Sequence, residues 1–326
     1  MTRDSIDHVV ILDGTLSSLV PERQSNAGIT YKLLCEQAGR SRLSLHYQPG
    51  IQWMTWSGLI DVIAGHGLTR QIEIAYGNIA SRYRPGDRIY LFGFSRGAYA
   101  VRSLAGVIDS IGLLRPEHAT ERNIRQVFRF YRDTQPSDAA RQFAKTHCEP
   151  DIHIEMIGVW DTVKALGISW PLLWRFSPRP TNFHNHTLGQ TTRHGFHALA
   201  MDETRQAFTP VLWASKPGWK GRLEQIWFRG SHGDVGGFLG RFQAARPLAN
   251  IPLVWMLDRA ESCGLALPAG WRDRFPTDPM APAHGAWRGV AKFYLFRRRR
   301  VMLQDPSESL HLSVETWQKA RENRVH

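Results

Sequence analysis

A serine flanked by two glycines is the clearest candidate for a reactive side chain in this sequence. The apolar run DRIYLFGF predicts a buried strand, and RGAYAVRSLAGVIDSIGLL after it has the spacing of a helix. Ser95 stands between the two, with Gly93 and Gly97 on either side. Such a turn holds the serine in a strained conformation that exposes its hydroxyl, while the glycines let neighbouring backbone pass. The pattern therefore predicts that Ser95 is a nucleophile.

A serine hydroxyl needs a base beside it, and the base needs a carboxylate to orient it. Asp161 ends the predicted strand IEMIGVW, and His232 follows the predicted strand LEQIWFRGS. Ser95, Asp161 and His232 therefore occur in the α/β-hydrolase chain order of nucleophile, acid and base. We predict that they form a catalytic triad in which Asp161 orients His232 and His232 activates Ser95.

Other histidines could serve as the base. His197 lies in TTRHGFHALAMDETRQAF, which we interpret as a helix, where a buried structural role is more common. His311 follows no clear strand, and His184 and His186 belong to an aromatic, proline-bearing stretch that we interpret as a loop insertion. The preference for His232 rests on its place directly after a strand.

Further carboxylates could support the site or replace its acid. Asp234 lies two residues past the predicted base and is the alternative to Asp161, although a group so close in sequence more often shapes its own turn. Asp202 forms a local charge cluster with Glu203 and Arg205, which we interpret as a structural ion pair near the site. Asp234 and Asp202 are therefore candidates for residues that support the triad.

The loop after the strand HVVIL is the candidate for part of an oxyanion hole. Asp13 resembles the start of the Asp-x-Asp motif of phosphatases, but Ile11 stands where that motif has its nucleophile. We predict instead that the backbone N–H of Gly14 or Thr15 stabilises an oxyanion beside the N–H of Arg96, with Asp13 as a supporting residue. This chemistry requires neither a metal nor a cofactor.

The elements that must position these residues alternate between strands and helices. Uniformly apolar strands are typical of a mainly parallel sheet with helices on both faces. Ligands bind such sheets at the carboxyl ends of the strands, where the candidates above fall. We predict one α/β-hydrolase-like domain over residues 1–326, with its core at about 8–265 and an irregular C-terminal extension at 266–326.

Composition excludes several classes of protein. Hydrophobic residues make up 42% of the 326 residues and charged residues 21%, which is typical of a soluble globular enzyme. No run approaches the roughly 18 apolar residues that cross a bilayer, and no secretory signal is visible. We therefore expect a cytoplasmic protein, whose export would need a signal-independent system. The cysteines Cys35, Cys148 and Cys263 are widely spaced, which argues against disulfides and a zinc site.

The net charge of +12 favours an anionic partner such as a membrane surface. Arginine-rich composition also occurs without nucleic-acid binding, so we do not expect a nucleic-acid partner. The run Arg297 to Arg300 lies between apolar residues, and we interpret it as a solvated basic edge, with an anion site as the alternative. The competing function is a non-catalytic basic scaffold on a hydrolase-like fold, against which the presence of all three triad candidates argues.

Aromatic and apolar residues outside the core pattern predict an acyl-binding surface, with ordinary packing of an insertion as the alternative. On that basis we expect a preference for long-chain lipid esters and for anionic vesicles. The residues concerned are Trp53, Met54, Trp56, Trp170, Leu172, Leu173, Trp174 and Phe176.

Six segments resemble, in order, the α/β-hydrolase family of type VI secretion lipase effectors, long known as a domain of unknown function. The segments are LDGT, YQPGI, YRPGDRIYLFGFSRGAYAVRSLAGVIDSIGLL, IGVWDTVKALG, HALAMDETRQAF and IWFRGSHGDVGG. The resemblance spans roughly residues 8–265. It differs from the family pattern after YQPGI, where Trp53 and Trp56 replace a glycine-rich segment, and only a short tail follows the core.

The resemblance implies a serine hydrolase of lipid esters, since some members of the family are phospholipases delivered into rival cells. Carried over position by position, it implies Ser95 as nucleophile, Asp161 as acid and His232 as base. It leaves any immunity or secretion partner unassigned.

Overall fold

A computed structural model describes residues 4–37, 39, 42–50, 66–133, 137–163, 187–288, 292 and 294–323. Within these residues, seven strands form one sheet in the order β2-β1-β3-β4-β5-β6-β7, and every neighbouring pair is parallel. The strands are β1 (Asp7–Leu12), β2 (Leu43–Gln48), β3 (Arg88–Phe94), β4 (Ile154–Trp160), β5 (Thr192–Ala200), β6 (Arg222–Phe228) and β7 (Glu308–Leu310). The predicted α/β-hydrolase-like architecture is confirmed.

Helices cover both faces of this sheet. Alternate residues of β1 point to opposite faces. Val10 and Leu12 pack in the cluster with α2 (His66–Ala80) and α3 (Arg96–Ser110), and Val9 and Ile11 pack in the cluster with α1 (Asn26–Cys35) and α7 (Arg246–Ser262). The strands are therefore buried on both sides, which explains their uniformly apolar sequences. The helices are α1 (Asn26–Cys35), α2 (His66–Ala80), α3 (Arg96–Ser110), α4 (Glu121–Arg132), α5 (Asp138–His147), α6 (His232–Gly236), α7 (Arg246–Ser262) and α8 (Leu312–Glu322).

The segment interpreted as a helix around His197 is the strand β5, so that interpretation was wrong. Phe196, Ala198 and Ala200 all pack in the same core cluster, which is the two-residue period of a strand. The residues of β5 that alternate with these three, on the other face of the sheet, are also buried. The polar alternation that would have revealed a strand is therefore absent. Strand β2, at the sheet edge, was not predicted at all.

The extension at 266–326, expected to be irregular, contains β7 and α8. Strand β7 pairs with β6 and extends the sheet by one strand. His311, the residue between β7 and α8, caps the helix by accepting a hydrogen bond from the Ser313 N–H. Such a short strand forms because β6 offers an unpaired edge, and its own sequence carries little signal.

The helices of the described residues include none with the length and apolar character that crossing a bilayer requires.

Candidate active site

Ser95 sits in a sharp turn between β3 and α3. Its φ of 57° and ψ of −119° lie outside the common regions for a residue with a side chain. A Cβ at Gly93 would come within 2.6 Å of the Ala98 Cα, and a Cβ at Gly97 within 2.0 Å of the Leu12 carbonyl oxygen. Both glycines are therefore required for the backbone to close this turn.

His232 begins the short helix α6, just after β6. Its Nε2 lies 2.9 Å from the Oγ of Ser95, and its ring stacks on Phe94 with the ring centroids 4.8 Å apart. Phe208 contacts the ring from another direction, with a centroid distance of 4.9 Å. The imidazole is buried and held by aromatic side chains while its Nε2 faces the Ser95 hydroxyl.

Asp161 follows the last residue of β4 in a left-handed backbone conformation, with a φ of 40°. Its Oδ2 lies 2.6 Å from the Nδ1 of His232, and its Oδ1 accepts a hydrogen bond of 3.0 Å from the Ala200 N–H. The structure thus brings Ser95, His232 and Asp161 into one hydrogen-bonded chain at the carboxyl ends of β3, β6 and β4.

Arg300 also contacts Asp161, and this contact was not predicted from the sequence. Its Nη1 lies 2.6 Å from Oδ1 and its Nη2 2.9 Å from Oδ2, and its side chain is only 5% exposed. Burial alone would raise the pKa of Asp161, but the Arg300 charge and the hydrogen bonds from His232 and Arg300 together lower it well below its ordinary value. Asp161 is therefore ionised at neutral pH.

The interpretation of the arginine run as a solvated edge was therefore wrong at Arg300. Arg297 is also engaged, because it donates to the Thr204 hydroxyl at 3.0 Å and stacks on Trp287. The side chains of Arg298 and Arg299 are exposed, as expected. The only sequence signal for Arg300 is its position inside an apolar stretch, and that signal does not identify its partner.

Two of the competing histidines make other contacts. His197 is buried in β5, where its Nε2 accepts a hydrogen bond from the Thr162 N–H at 3.1 Å, and burial lowers its pKa to about 3. His311 caps α8 and stacks on Phe228. His184 and His186 lie outside the described residues.

The supporting carboxylates hold backbone near the site. Asp234 accepts from the N–H of Ser231 at 2.8 Å and from that of His284 at 2.6 Å, and so fixes the turn into α6. Asp202 accepts from the Gly230 N–H at 2.7 Å. Neither carboxylate has a hydrogen bond to the His232 ring among the described contacts.

Glu203 forms a buried ion pair with Arg205, at 2.6 Å. Its Oε2 also accepts a hydrogen bond of 3.2 Å from the His232 N–H. Burial would raise the pKa of Glu203, but the hydrogen bonds and charge of Arg205 outweigh it and lower the pKa. The charge cluster predicted near the site is thus an ion pair that also supports the turn into α6.

The loop after β1 lies beside the serine turn. Gly14 donates its N–H to the Asp13 Oδ1 at 2.7 Å, so the expected donation of this group to an oxyanion is not supported. Thr15 and Arg96 are the remaining candidates, and the Arg96 N–H lies in the first turn of α3, where no helical acceptor exists. A Cβ at Gly50 would come within 1.5 Å of the Gly14 carbonyl oxygen, so the YQPG segment holds this loop in place.

Asp13 is buried beneath the same loop. It accepts hydrogen bonds from the hydroxyls of Ser25 at 2.6 Å and Tyr47 at 2.8 Å. Burial raises its pKa to about 6, although these hydrogen bonds oppose the rise. Asp13 therefore supports the loop as expected, and it does so through neutral partners.

Within the described residues, no group of three or more His, Cys, Asp or Glu side chains could hold a metal ion. The predicted acyl-binding residues at positions 53–56 and 170–176 lie outside the described residues.

One curated protein is similar in sequence to part of this chain. An uncharacterized protein of Saccharomyces cerevisiae is 28% identical over 235 residues, which cover 64% of this chain and 33% of that protein. This chain thus spans about a third of that relative's length.

Two solved structures are similar to this chain. One is the crystal structure of an uncharacterized protein from Pseudomonas aeruginosa, 16% identical, with a TM-score of 0.46 over 84% of this chain and 49% of that chain. The other is the structure of the Tle1 effector bound to the VgrG spike of the type 6 secretion system, 17% identical, with a TM-score of 0.38 over 73% of this chain and 52% of that chain.

Residues 7–259 match the family described as the catalytic domain of Tle1-like phospholipase effectors of the type VI secretion system. This range begins at β1 and includes the serine turn, Asp161 and the turn into α6, and the predicted resemblance is confirmed. The chain belongs to the family of Tle1-like phospholipase effector catalytic domains.

Proposed function

We propose that this chain is a serine hydrolase that cleaves carboxylic esters of lipids, with phospholipids as the preferred class. The observation that carries the proposal is the hydrogen-bonded chain from Ser95 through His232 to Asp161, at the strand ends where α/β enzymes bind ligands. Membership in a family of phospholipase effectors supports lipid as the substrate. The seven described strands form one sheet, which supports a single catalytic domain.

In the acylation step, His232 Nε2 removes the proton from the Ser95 hydroxyl as the oxygen attacks the ester carbonyl carbon. The carbonyl π bond breaks and its electron pair moves to the oxygen, which the N–H groups of Arg96 and Thr15 stabilise. The tetrahedral intermediate then collapses, the ester C–O bond breaks, and the His232 imidazolium protonates the leaving alcohol. The product is an acyl-enzyme on Ser95.

In the deacylation step, water takes the place of the alcohol. His232 removes a proton from the water, the hydroxide attacks the acyl carbon, and the imidazolium returns the proton to the Ser95 oxygen as the fatty acid leaves. Asp161 stabilises the imidazolium in both steps without accepting its proton. Its lowered pKa supports this role because the carboxylate stays ionised at neutral pH.

The family also supports a proposal about place and partner. As a Tle1-like domain, this chain would be exported through a type VI secretion system and would meet its substrate in a bilayer. Its net charge of +12 supports attraction to anionic lipid surfaces, which weakens as salt screens the charges.

The proposal is tested by measuring fatty-acid release from vesicles of phosphatidylcholine and of phosphatidylglycerol, and hydrolysis of acetyl, butyryl and palmitoyl esters. We expect turnover by the wild type, fastest on long-chain lipids, and a loss of roughly four to six orders of magnitude in Ser95→Ala. Ser103→Ala is the matched control, because its hydroxyl is buried on the same helix α3 and donates to the Tyr99 carbonyl oxygen, at 2.9 Å. A wild type without activity on any of these substrates would favour the basic scaffold instead.

A further inference from the structure

The C-terminal extension contributes a buried cation to the predicted catalytic triad. Arg300 lies 41 residues past the last residue of the family match at 259, yet both of its Nη atoms contact the Asp161 carboxylate, at 2.6 and 2.9 Å. A two-point contact between a planar guanidinium and a carboxylate fixes both distance and orientation. A point charge such as a lysine ammonium fixes only the distance.

We infer that Arg300 is a positioning residue of the active site, which holds Asp161 in its working orientation and sets the pH range in which the triad functions. The inference rests on the proposed function, since it concerns the same triad.

Arg300 is anchored in a way that suits this role. Its Nη1 also donates to the Ala200 carbonyl oxygen at 2.7 Å, and its Nη2 to the Phe208 carbonyl oxygen at 2.6 Å. Phe208 in turn packs against the His232 ring. One side chain therefore ties the end of β5, the aromatic wall of the imidazole and the Asp161 carboxylate together.

The guanidinium charge changes what Asp161 does to the imidazole. A lone carboxylate stabilises the imidazolium form of His232, and a cation on its far side weakens that effect. A variant without the positive charge should therefore show an acidic limb of activity at higher pH.

The other charged groups around the imidazole do not change in this comparison. Glu203 lies against the His232 N–H and is paired with Arg205, and Asp234 on α6 bonds the backbone of the turn. Arg96 lies at the start of α3, next to Ser95. His197, behind Asp161, stays neutral because burial lowers its pKa to about 3.

The experiment compares the pH profile of kcat/KM for a butyryl ester in the wild type, Arg300→Met, Arg300→Lys and Arg299→Met. For Arg300→Met we expect a fall in kcat of about a hundred-fold, as for a misplaced catalytic group, with little change in KM and an acidic limb at higher pH. Arg300→Lys keeps the charge, so its limb stays near that of the wild type and part of the rate returns. Arg299→Met removes a neighbouring exposed arginine and should match the wild type.

A double-mutant cycle with Asp161→Asn asks whether Arg300 acts through Asp161. If it does, Arg300→Met lowers kcat much less in the Asp161→Asn background than in the wild type. Equal losses in both backgrounds would overturn the inference. A folded Arg300→Met with wild-type kcat and an unmoved acidic limb would also overturn it.

Should Arg300→Met fail to fold, Arg300→Lys takes its place in the double-mutant cycle. The partial loss of kcat in Arg300→Lys should then be smaller in the Asp161→Asn background than in the wild type. A loss of equal size in both backgrounds would overturn the inference.

The two proposals fail in different ways. A wild type that neither hydrolyses esters nor reacts with a fluorophosphonate contradicts the proposed function and the inference with it. An active wild type that is insensitive to Arg300 contradicts the inference alone.

Discussion

Two buried aspartates follow strands of the same sheet, and their surroundings shift their pKa values in opposite directions. Asp161, after β4, contacts the His232 imidazole and the Arg300 guanidinium. Burial alone would raise the pKa of Asp161, but these two partners together lower it well below the ordinary value.

Asp13, after β1, is equally buried but has only neutral partners. The hydroxyls of Ser25 and Tyr47 and the Gly14 N–H all donate to it, at 2.6 to 2.8 Å. Burial nevertheless raises the pKa of Asp13 to about 6. The difference teaches that neutral hydrogen-bond donors alone do not offset the rise in carboxylate pKa that burial causes at this edge of the sheet, whereas a cation does.

The largest expected effect is on catalysis. Asp161→Asn keeps the shape of the side chain but removes its charge and one acceptor, so we expect kcat to fall by about 10³- to 10⁴-fold. Asp13→Asn should change kcat by less than about ten-fold, because its partners reach the oxyanion loop and not the imidazole. Steady-state hydrolysis of a butyryl ester measures both, and equal losses would break the contrast between the two aspartates.

The next effect is on stability. Arg300→Met leaves a buried carboxylate without its cation and should lower the free energy of unfolding by about 3–5 kcal/mol. Tyr47→Phe removes one neutral donor from Asp13 and should cost about 1 kcal/mol. Urea denaturation at pH 7 compares the two variants with the wild type. A larger loss in Tyr47→Phe would mean that the cation is not what distinguishes the sites.

The smallest effect is the pH dependence of stability, which should have opposite signs at the two sites. The folded pKa of Asp13, about 6, lies above the ordinary 3.8, so its contribution to stability is present below 3.8 and is lost as pH rises through 6. Asp161, with its lowered pKa, contributes above 3.8 and loses that contribution as pH falls toward its folded pKa.

The difference in unfolding free energy between wild type and Asp13→Asn should therefore fall by about 2.5 kcal/mol between pH 3.8 and pH 7, since each pKa unit is worth about 1.36 kcal/mol and part of the titration lies outside this range. Denaturation curves at these two pH values measure it. If the difference in unfolding free energy between wild type and Asp13→Asn did not change with pH, Asp13 would have the same pKa in the folded protein as an exposed carboxylate.

Local signals made the serine turn predictable from sequence. Gly93 and Gly97 are needed because other backbone passes where their Cβ atoms would lie. The five consecutive residues 93–97 therefore identify the turn in the sequence. The ends of the strands that precede Asp161 and His232 were predictable because runs of apolar residues mark those strands. The order and roles of such segments are carried by short stretches of chain.

Contacts between distant segments were not predictable. Arg300 and Asp161 are separated by 139 residues, and an arginine run looks the same in sequence whether it is solvated or buried against a carboxylate. The hydrogen bond from Gly14 to the Asp13 side chain depends on a loop conformation that the sequence does not specify. Strand β5 was mistaken for a helix because burial on both faces removes its polar alternation.

The central claim is that Ser95 is a nucleophile activated by His232, and covalent labelling tests it most directly. Wild type, Ser95→Ala and Ser103→Ala would be treated with a fluorophosphonate, and the adduct located by peptide mass spectrometry. We expect one adduct on the peptide that contains Ser95 in the wild type and in Ser103→Ala, and none in Ser95→Ala. An unlabelled wild type, or an adduct that persists in Ser95→Ala, would contradict the account.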